Sequence, residues 1–220
     1  MEVLELLDRI TRRIAPGRSP TFTEAHVVKA LEEVSLRGTV GRLRLSKLLQ
    51  LGGGEVRTLV KHLKSEQLIE VSTSGVSLSP RGRSMLSSLR VFMTEPLEVP
   101  STPLTVGPSN IAVRVVGVRD FVRYGLEQRD AAIIAGAKGA TTLIFSGNRL
   151  SMADTAEEVF SEDVAVHTLL SRMILEDGDV IVIGSADTKL RAELGAKMAA
   201  IRLLESRNKN EIVADSTRAL

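Results

Sequence analysis

The chain has 220 residues, 43% hydrophobic and 25% charged, which is ordinary globular usage and excludes a disordered chain. It has no cysteine, so disulfides, thiolate metal sites and cysteine nucleophiles are excluded; at 3% aromatics it also lacks the ring platforms on which single-stranded nucleic acids stack. The net charge of +2 is unevenly placed: residues 1–90 hold 15 Lys+Arg against 9 Asp+Glu, and residues 91–220 hold 14 against 18, which points to a polyanionic partner for the first part alone.

Val3, Leu7, Ile10 and Ile14 recur at helical spacing and predict a first helix, stopped by Pro16-Gly17. Such a helix either packs across a dimer or covers its own domain. Thr21-Phe22-Thr23-Glu24 has the capping-box pattern and opens a helix carrying Val27, Val28, Leu31 and Val34. After Gly38 and Gly41 a shorter helix places Leu45, Leu48 and Leu49 together. Leu51-Gly52-Gly53-Gly54 then predicts a tight turn, its glycines free to take the required backbone angles. The next helix turns Val56, Leu59, Val60 and Leu63 inward. Arg57, Lys61 and Lys64 share its free face, with Thr58 and His62 beside them. Ile69, Val71, Val76 and Leu78 alternate around Ser72-Thr73-Ser74-Gly75, a hairpin. Ser79-Pro80 supplies a cap residue and a first-turn proline for a helix over Arg81–Leu89.

Helix, helix, glycine turn, basic helix, hairpin, helix is the layout of a winged helix-turn-helix domain. The run from Leu45 to Leu63 resembles the second and third helices of such regulators. Leu68-Ile69-Glu70-Val71 resembles the lead into the wing, and Leu78-Ser79-Pro80-Arg81-Gly82-Arg83 resembles the segment that leaves it. The resemblance implies that the basic helix enters the major groove of duplex DNA. Arg57 and Lys61 would read guanine edges or bind phosphate, Lys64 would share their face, and Thr58 and His62 would reach bases or backbone. Arg42, Arg44 and Lys47 would lie near adjoining phosphates. The wing tip is short and uncharged, so Arg81 and Arg83 would supplement it. A basic helix face taken alone is ordinarily only solvated; here the turn, the hairpin and the regional charge agree.

The segment 91–109 holds four of the seven prolines and predicts a semi-rigid linker, free or lying against one domain, where the charge changes sign. Beyond it, Ile111–Val118 is a strand candidate rich in β-branched residues. A helix is expected within Asp120–Ala137, and a strand over Thr141–Phe145 with a hairpin return through Leu150 and Met152. A helix over Val164–Ile174 and a strand over Val180–Ile183 follow. The last helix, Asp187–Leu204, carries small residues (Ala192, Gly195, Ala196, Ala199) that permit close approach to a sheet. Asn208–Leu220 reads as a polar tail with one short strand, Glu211-Ile212-Val213. These elements fit a two-layer α/β domain with helices on one face of a sheet. The fold class expected is therefore α+β: an N-terminal winged helix-turn-helix domain over 1–90 and a C-terminal two-layer α/β domain over 110–220. Glu127-Gln128-Arg129-Asp130-Ala131-Ala132 and Gly136-Ala137-Lys138-Gly139-Ala140-Thr141-Thr142-Leu143 resemble an archaeal family of winged helix-turn-helix transcription regulators whose C-terminal α/β domain is functionally uncharacterised.

Candidate ligand contacts in the second half are Glu127, Arg129 and Asp130, and Ser185 and Asp187 where a strand meets a helix N-terminus, the place where anions bind. Ion pairing and helix capping account for the same residues, with Ser185 or Asp187 as the cap. Asp177, Asp179 and Asp187 suggest a cation site less well than they suggest turn residues. No nucleophile–base–orienter set appears, so no catalytic residue, cofactor or metal is expected. No apolar stretch reaches the ~18 residues of a membrane span, and the acidic start is unlike a signal peptide, so a cytoplasmic protein is expected. The reading is a homodimeric transcriptional regulator that binds double-stranded DNA, its second domain dimerising, sensing a small-molecule effector, or both. The alternatives are a small-metabolite enzyme, or an interaction module, with an appended winged helix.

Overall fold

The structure, a computed structural model, describes residues 2–12, 20–159 and 163–218. The chain divides into two compact units, Met1–Arg90 and Val91–Leu220.

In the first unit, α1 (Glu2–Thr11) buries Val3, Leu4, Leu6, Leu7 and Ile10. Its apolar stripe thus covers its own domain; Ile14 and Pro16-Gly17 lie outside the described residues. α2 (Glu24–Arg37) is capped by Thr23, not Thr21. Nδ1 of His26 accepts from the Thr23 backbone N–H at 3.2 Å and lies 3.0 Å from the Thr23 hydroxyl. The expected Glu24 is drawn elsewhere, accepting from the Thr11 hydroxyl at 3.1 Å. Burial, partly offset by the nearby Glu55 carboxylate, lowers His26 from 6.5 to about 4.

A titration follows from that burial. Between these two values the unfolded chain binds a proton at His26 that the folded chain refuses. The contribution is therefore complete above pH 6.5 and lost as pH falls toward about 4, a change of roughly 3 kcal/mol. Urea midpoints measured across this window should fall for the natural protein and stay flatter for His26→Gln, which keeps an acceptor at the same helical position. Equal slopes would refute the assignment.

β1 (Thr39–Val40), α3 (Arg42–Leu49) and α4 (Gly53–Ser65) follow. The turn between the two helices is made differently from the expectation. Gln50 is its left-handed residue (φ 52°), while Gly52 caps α4 at an ordinary φ of −63° and Gly53 and Gly54 already belong to the helix. The Gly52 N–H donates to the Glu55 carboxylate at 2.6 Å, which is what anchors this end. β2 (Ile69–Ser72) and β3 (Gly75–Leu78) form the wing, and β1 adds to β3 to give the antiparallel order β1-β3-β2. α5 (Pro80–Phe92) starts where Ser79 Oγ accepts from the Gly82 N–H at 3.0 Å. A Cβ on Gly82 would stand 2.0 Å from the Leu68 carbonyl oxygen, so only glycine lets α5 lie this close to the start of the wing.

The second unit is a five-stranded sheet with helices. Its elements are β4 (Leu97–Val99), β5 (Ser109–Val115), α6 (Leu126–Ile134), β6 (Gly139–Ser146), β7 (Arg149–Met152), α7 (Val164–Arg172), β8 (Val180–Ala186) and α8 (Lys189–Arg218). The order is β4-β5-β8-β6-β7, antiparallel at every pairing. β8 is central and buried at every residue, which is why it reads as an unbroken apolar run. One sheet face packs Ile111 and Ala186 against Ala132 and Ala137 of the α6 region and Ala192 of α8. The opposite face packs Ala112, Leu143, Ile181 and Ile183 against Ala165, Val166 and Leu169 of α7. The helical layer expected from sequence is thus α6 with α8, and the short α7 adds to the other face. A Cβ on Gly184 would lie 2.2 Å from the Ala192 carbonyl oxygen, so the glycine in β8 sets how closely α8 sits on the sheet.

Two expectations are corrected here. Residues 91–109 are not a free linker: Leu97–Val99 pair with β5 as an edge strand, between Pro96 and Pro100. An edge strand needs partners on one side only, so flanking prolines are tolerated. Glu211-Ile212-Val213 is helix rather than strand, because α8 runs on to Arg218. Nothing from Asn208 to that point breaks a helix, and extending one already begun is easier than nucleating a strand.

Candidate nucleic-acid interface

α4 is oriented by its buried stripe of Val56, Leu59, Val60 and Leu63. The helical period then leaves Arg57, Lys61 and Lys64 exposed together. Thr58 stands beside them, half-buried, and its hydroxyl donates to the Gly54 carbonyl at 3.1 Å. Its lone pairs remain, but its proton is engaged within the helix.

His62 does not belong to this face. It is buried, its Nδ1–H donates to the Ile10 carbonyl of α1 at 2.6 Å, and its ring meets Phe22 edge-on with centroids 5.8 Å apart. Residue 62 follows Leu59 by three positions, at the margin of the apolar stripe. α1 covers that margin and converts it into core. His62 is therefore a joint between α1 and α4, and the expectation that it reaches DNA is withdrawn.

Arg42, Arg44 and Lys47 are exposed on α3, which packs against α4. Arg81 is exposed at the start of α5, while Arg83, also exposed, donates to the Leu78 carbonyl at 2.7 Å. The pairing of cations in this unit is uneven. Arg9 pairs with Glu66 at 3.5 Å, Lys29 with Glu33 at 2.9 Å, Arg12 with Asp8 and Arg37 with Glu33. By contrast Arg42, Arg44, Lys47, Arg57, Lys61, Lys64 and Arg81 have no carboxylate within ion-pair distance among the described residues. The unneutralised charge is gathered on the helix-turn-helix and the first turn of α5. The wing tip, Thr73-Ser74, is exposed and uncharged.

The candidate ligand residues of the second unit do not converge. Glu127 is exposed on the first turn of α6, and Arg129 and Asp130 form an exposed pair at 3.5 Å, a contact worth about 0–1 kcal/mol. Ser185 is fully buried and its Oγ accepts from the Val106 N–H at 3.3 Å, so it faces no ligand. Asp187 is exposed and pairs with Lys138 at 2.6 Å. Neither residue caps α8; Thr188 does, its Oγ accepting from the Arg191 N–H at 3.4 Å. A strand of seven residues, longer than expected, carries Ser185 into the sheet. Asp177 accepts from the Gly147 N–H at 2.6 Å and Asp179 from three donors, so both are turn residues. What sequence reasoning missed is polar and buried: Gln128 on α6 and Thr142 on β6 have side-chain polar atoms without a hydrogen-bond partner among the described residues. The alternation along β6 could have singled out Thr142, since it faces the side opposite Leu143.

Residues 27–93 match the family model described as the CggR N-terminal DNA binding domain, and residues 106–203 match a domain of unknown function, DUF4443. The chain thus carries a region similar to a DNA-binding domain first and a region similar to a domain of unknown function second, an arrangement that fits a winged helix-turn-helix regulator with an uncharacterised C-terminal domain. In particular, it is similar to the solved structure of hypothetical protein PH0730 from the archaeon Pyrococcus horikoshii OT3, with 27% identity and a TM-score of 0.64 over 86% of this chain and 97% of that one. No curated protein matches it. No helix among the described residues is long and apolar enough to cross a membrane.

Proposed function

We propose that this protein is a cytoplasmic transcriptional regulator whose α4 enters the major groove of duplex DNA while α3 and the start of α5 meet the flanking phosphates. Its second unit dimerises the protein and senses a small ligand, without catalysis. The observation that carries the DNA reading is the contrast in charge pairing: among the described residues the cations of α3, α4 and the first turn of α5 lack carboxylate partners, whereas Arg9, Arg12, Lys29 and Arg37 have them. Exposed cations cost little to leave unpaired, and a phosphate backbone rewards them by releasing condensed counterions. The exposed side of α4 would supply Arg57 and Lys61 for guanine edges or phosphates, with Thr58 as an acceptor beside them. Gly53 and Gly54 have nothing within 4 Å of an added Cβ, so a phosphate strand could approach the helix start without a side chain in the way. A recognition helix of this length reads few base pairs, and a two-fold pair of half-sites would extend the sequence read.

The test is selection of bound fragments from a genomic DNA library, followed by affinity measurements over a range of salt. Specific binding should weaken steeply, with a slope of log K against log salt near −0.9 for each phosphate engaged. Binding that ignores salt, or no selected fragment at all, would sink the proposal.

A further inference from the structure

α6 carries apolar residues on both of its sides, and the larger ones point outward. Its buried side holds Gln128, Ala131 and Ala132. On the outer side Leu126, Ile133 and Ile134 are 51%, 47% and 71% exposed. A helix lying on a sheet ordinarily turns its large aliphatic residues inward and its polar ones out; one that is apolar all round is covered on both sides. Tyr124 enlarges the patch. It is exposed, and both it and Gly125 take left-handed angles, φ +56° and +69°. An aromatic residue in that conformation is strained, and here the strain holds it at the surface. Val106, also exposed, borders the patch: a Cβ on Gly139 would stand 3.2 Å from Val106 Cγ2 and 3.9 Å from Arg129 Cγ.

The order of charges says what covers this patch. The outer side of α6 reads Leu126, Arg129, Asp130, Ile133, at spacings of 3, 1 and 3, so the four share one side of the helix. The pattern is a palindrome of residue classes: one apolar residue stands three places before the cation, another three places after the anion. Laid antiparallel on a second copy about a two-fold axis through the Arg129–Asp130 step, α6 sets Leu126 on Ile133 of that copy and Arg129 on its Asp130, and the reverse contacts follow by symmetry. Tyr124 then falls near Ile134 of the second copy. A foreign protein needs no such symmetry, whereas a second copy does. α7 and its neighbourhood also expose Val164, Leu170 and Ile174, but α7 contains no acidic residue and cannot match its own cations in this way. Within one chain Arg129 and Asp130 already touch at 3.5 Å. Adjacent helical residues do not face each other, and both side chains are more than half exposed, so that pair holds them weakly and leaves them able to turn to facing partners.

We infer that the outer face of α6, bordered by Tyr124 and Val106, is the surface through which two copies of this chain pair about a two-fold axis. The proposed function has the second unit dimerise the protein; this surface gives that reading its location and rests on it. Leu126 and Ile133 of both copies close over the centre, and two crossed Arg129–Asp130 pairs fix the register and the antiparallel sense. Two short helices with their borders make an interface at the low end of specific ones, so the dimer dissociates in the micromolar range.

The experiment is sedimentation equilibrium of the full-length protein and its variants over about 1–300 µM. The natural protein should show a monomer–dimer equilibrium. Arg129→Asp and Asp130→Arg, each made alone, set like charges face to face and should weaken pairing by ~10-fold or more. Made together they again oppose unlike charges across the axis, and pairing should return to within ~3-fold of the natural value. Ile133→Arg should weaken it by ~10-fold or more, and Ile174→Arg, beyond α7, should leave it unchanged. All four positions are exposed, so the variants should keep the natural melting curve. A dimer that every α6 variant leaves intact overturns this surface while dimerisation stands, as does loss of pairing in Ile174→Arg alone. Failure of the double change to restore what the single changes lose overturns the two-fold register. A protein that stays monomeric over the whole range overturns both the surface and the dimerisation reading.

Discussion

Changing both Arg57 and Lys61 to alanine is expected to lower affinity for selected duplex DNA by about 30-fold or more at fixed salt. A side chain that contacts a base edge or a phosphate contributes about 1–3 kcal/mol, and two such contacts amount to ~2–6 kcal/mol. If both bind phosphate, the salt slope should also fall by about 2. The prediction is clean because neither residue has a structural partner: both are exposed, and neither pairs with a described carboxylate. The variant should therefore melt like the natural protein. His62→Ala gives the contrasting control. It removes the bond to the Ile10 carbonyl and the contact with Phe22, so it should destabilise the first unit by about 1–3 kcal/mol while leaving the salt slope alone. Undiminished DNA affinity in the Arg57/Lys61 variant, measured by fluorescence anisotropy, would remove α4 as the reading helix.

The second large effect is expected in the sheet. Asp179→Ala should destabilise the second unit by about 3–5 kcal/mol. Asp179 is buried and accepts from Arg114 Nε at 2.6 Å, the Gly117 N–H at 3.1 Å and the Glu176 N–H at 2.7 Å. Alanine would strand a guanidinium that is itself largely buried, together with two backbone donors in turns beside the sheet. Tyr124 is the protein's single tyrosine and there is no tryptophan, so its fluorescence follows urea unfolding of this unit separately from the first. With m values of ~1–3 kcal/mol/M, the midpoint should drop by 1 M or more. Adding Arg114→Met should restore part of the loss, since an ion pair removed whole costs less than one broken. A midpoint shift equivalent to under ~1 kcal/mol would show that the carboxylate is dispensable.

Much of this protein was legible in the chain. The order of elements in the winged domain, the hairpin, the Ser79 cap and the apolar spine of α8 all follow from local rules of spacing and capping, which act within a turn or two of helix. The basic face of α4 was legible for the same reason, because spacing alone places Arg57, Lys61 and Lys64 together. Failures came where a distant segment intervened. The expected Thr21–Glu24 cap gave way because α2 starts at Glu24, which makes Thr23 the cap and His26 its partner and leaves Glu24 to accept from Thr11 of α1. The segment 91–109 looked like a linker because its prolines are a local signal, whereas the pairing of Leu97–Val99 with β5 is not.

The sequence by itself therefore determined the layout of the first unit, a helix-turn-helix pattern and a winged hairpin written in short-range periodicity, together with the uneven charge of the two halves. Only the tertiary structure decided which of the polar residues are free to act. It buried His62 under α1 and Ser185 within β8, and left the cations of α3 and α4 without carboxylate partners among the described residues. It also left the Thr142 hydroxyl, which the alternation along β6 places on the helix-covered face, buried without a hydrogen-bond partner among the described residues. Burial and pairing are set by what other elements bring to a residue, and spacing along one element carries no record of that.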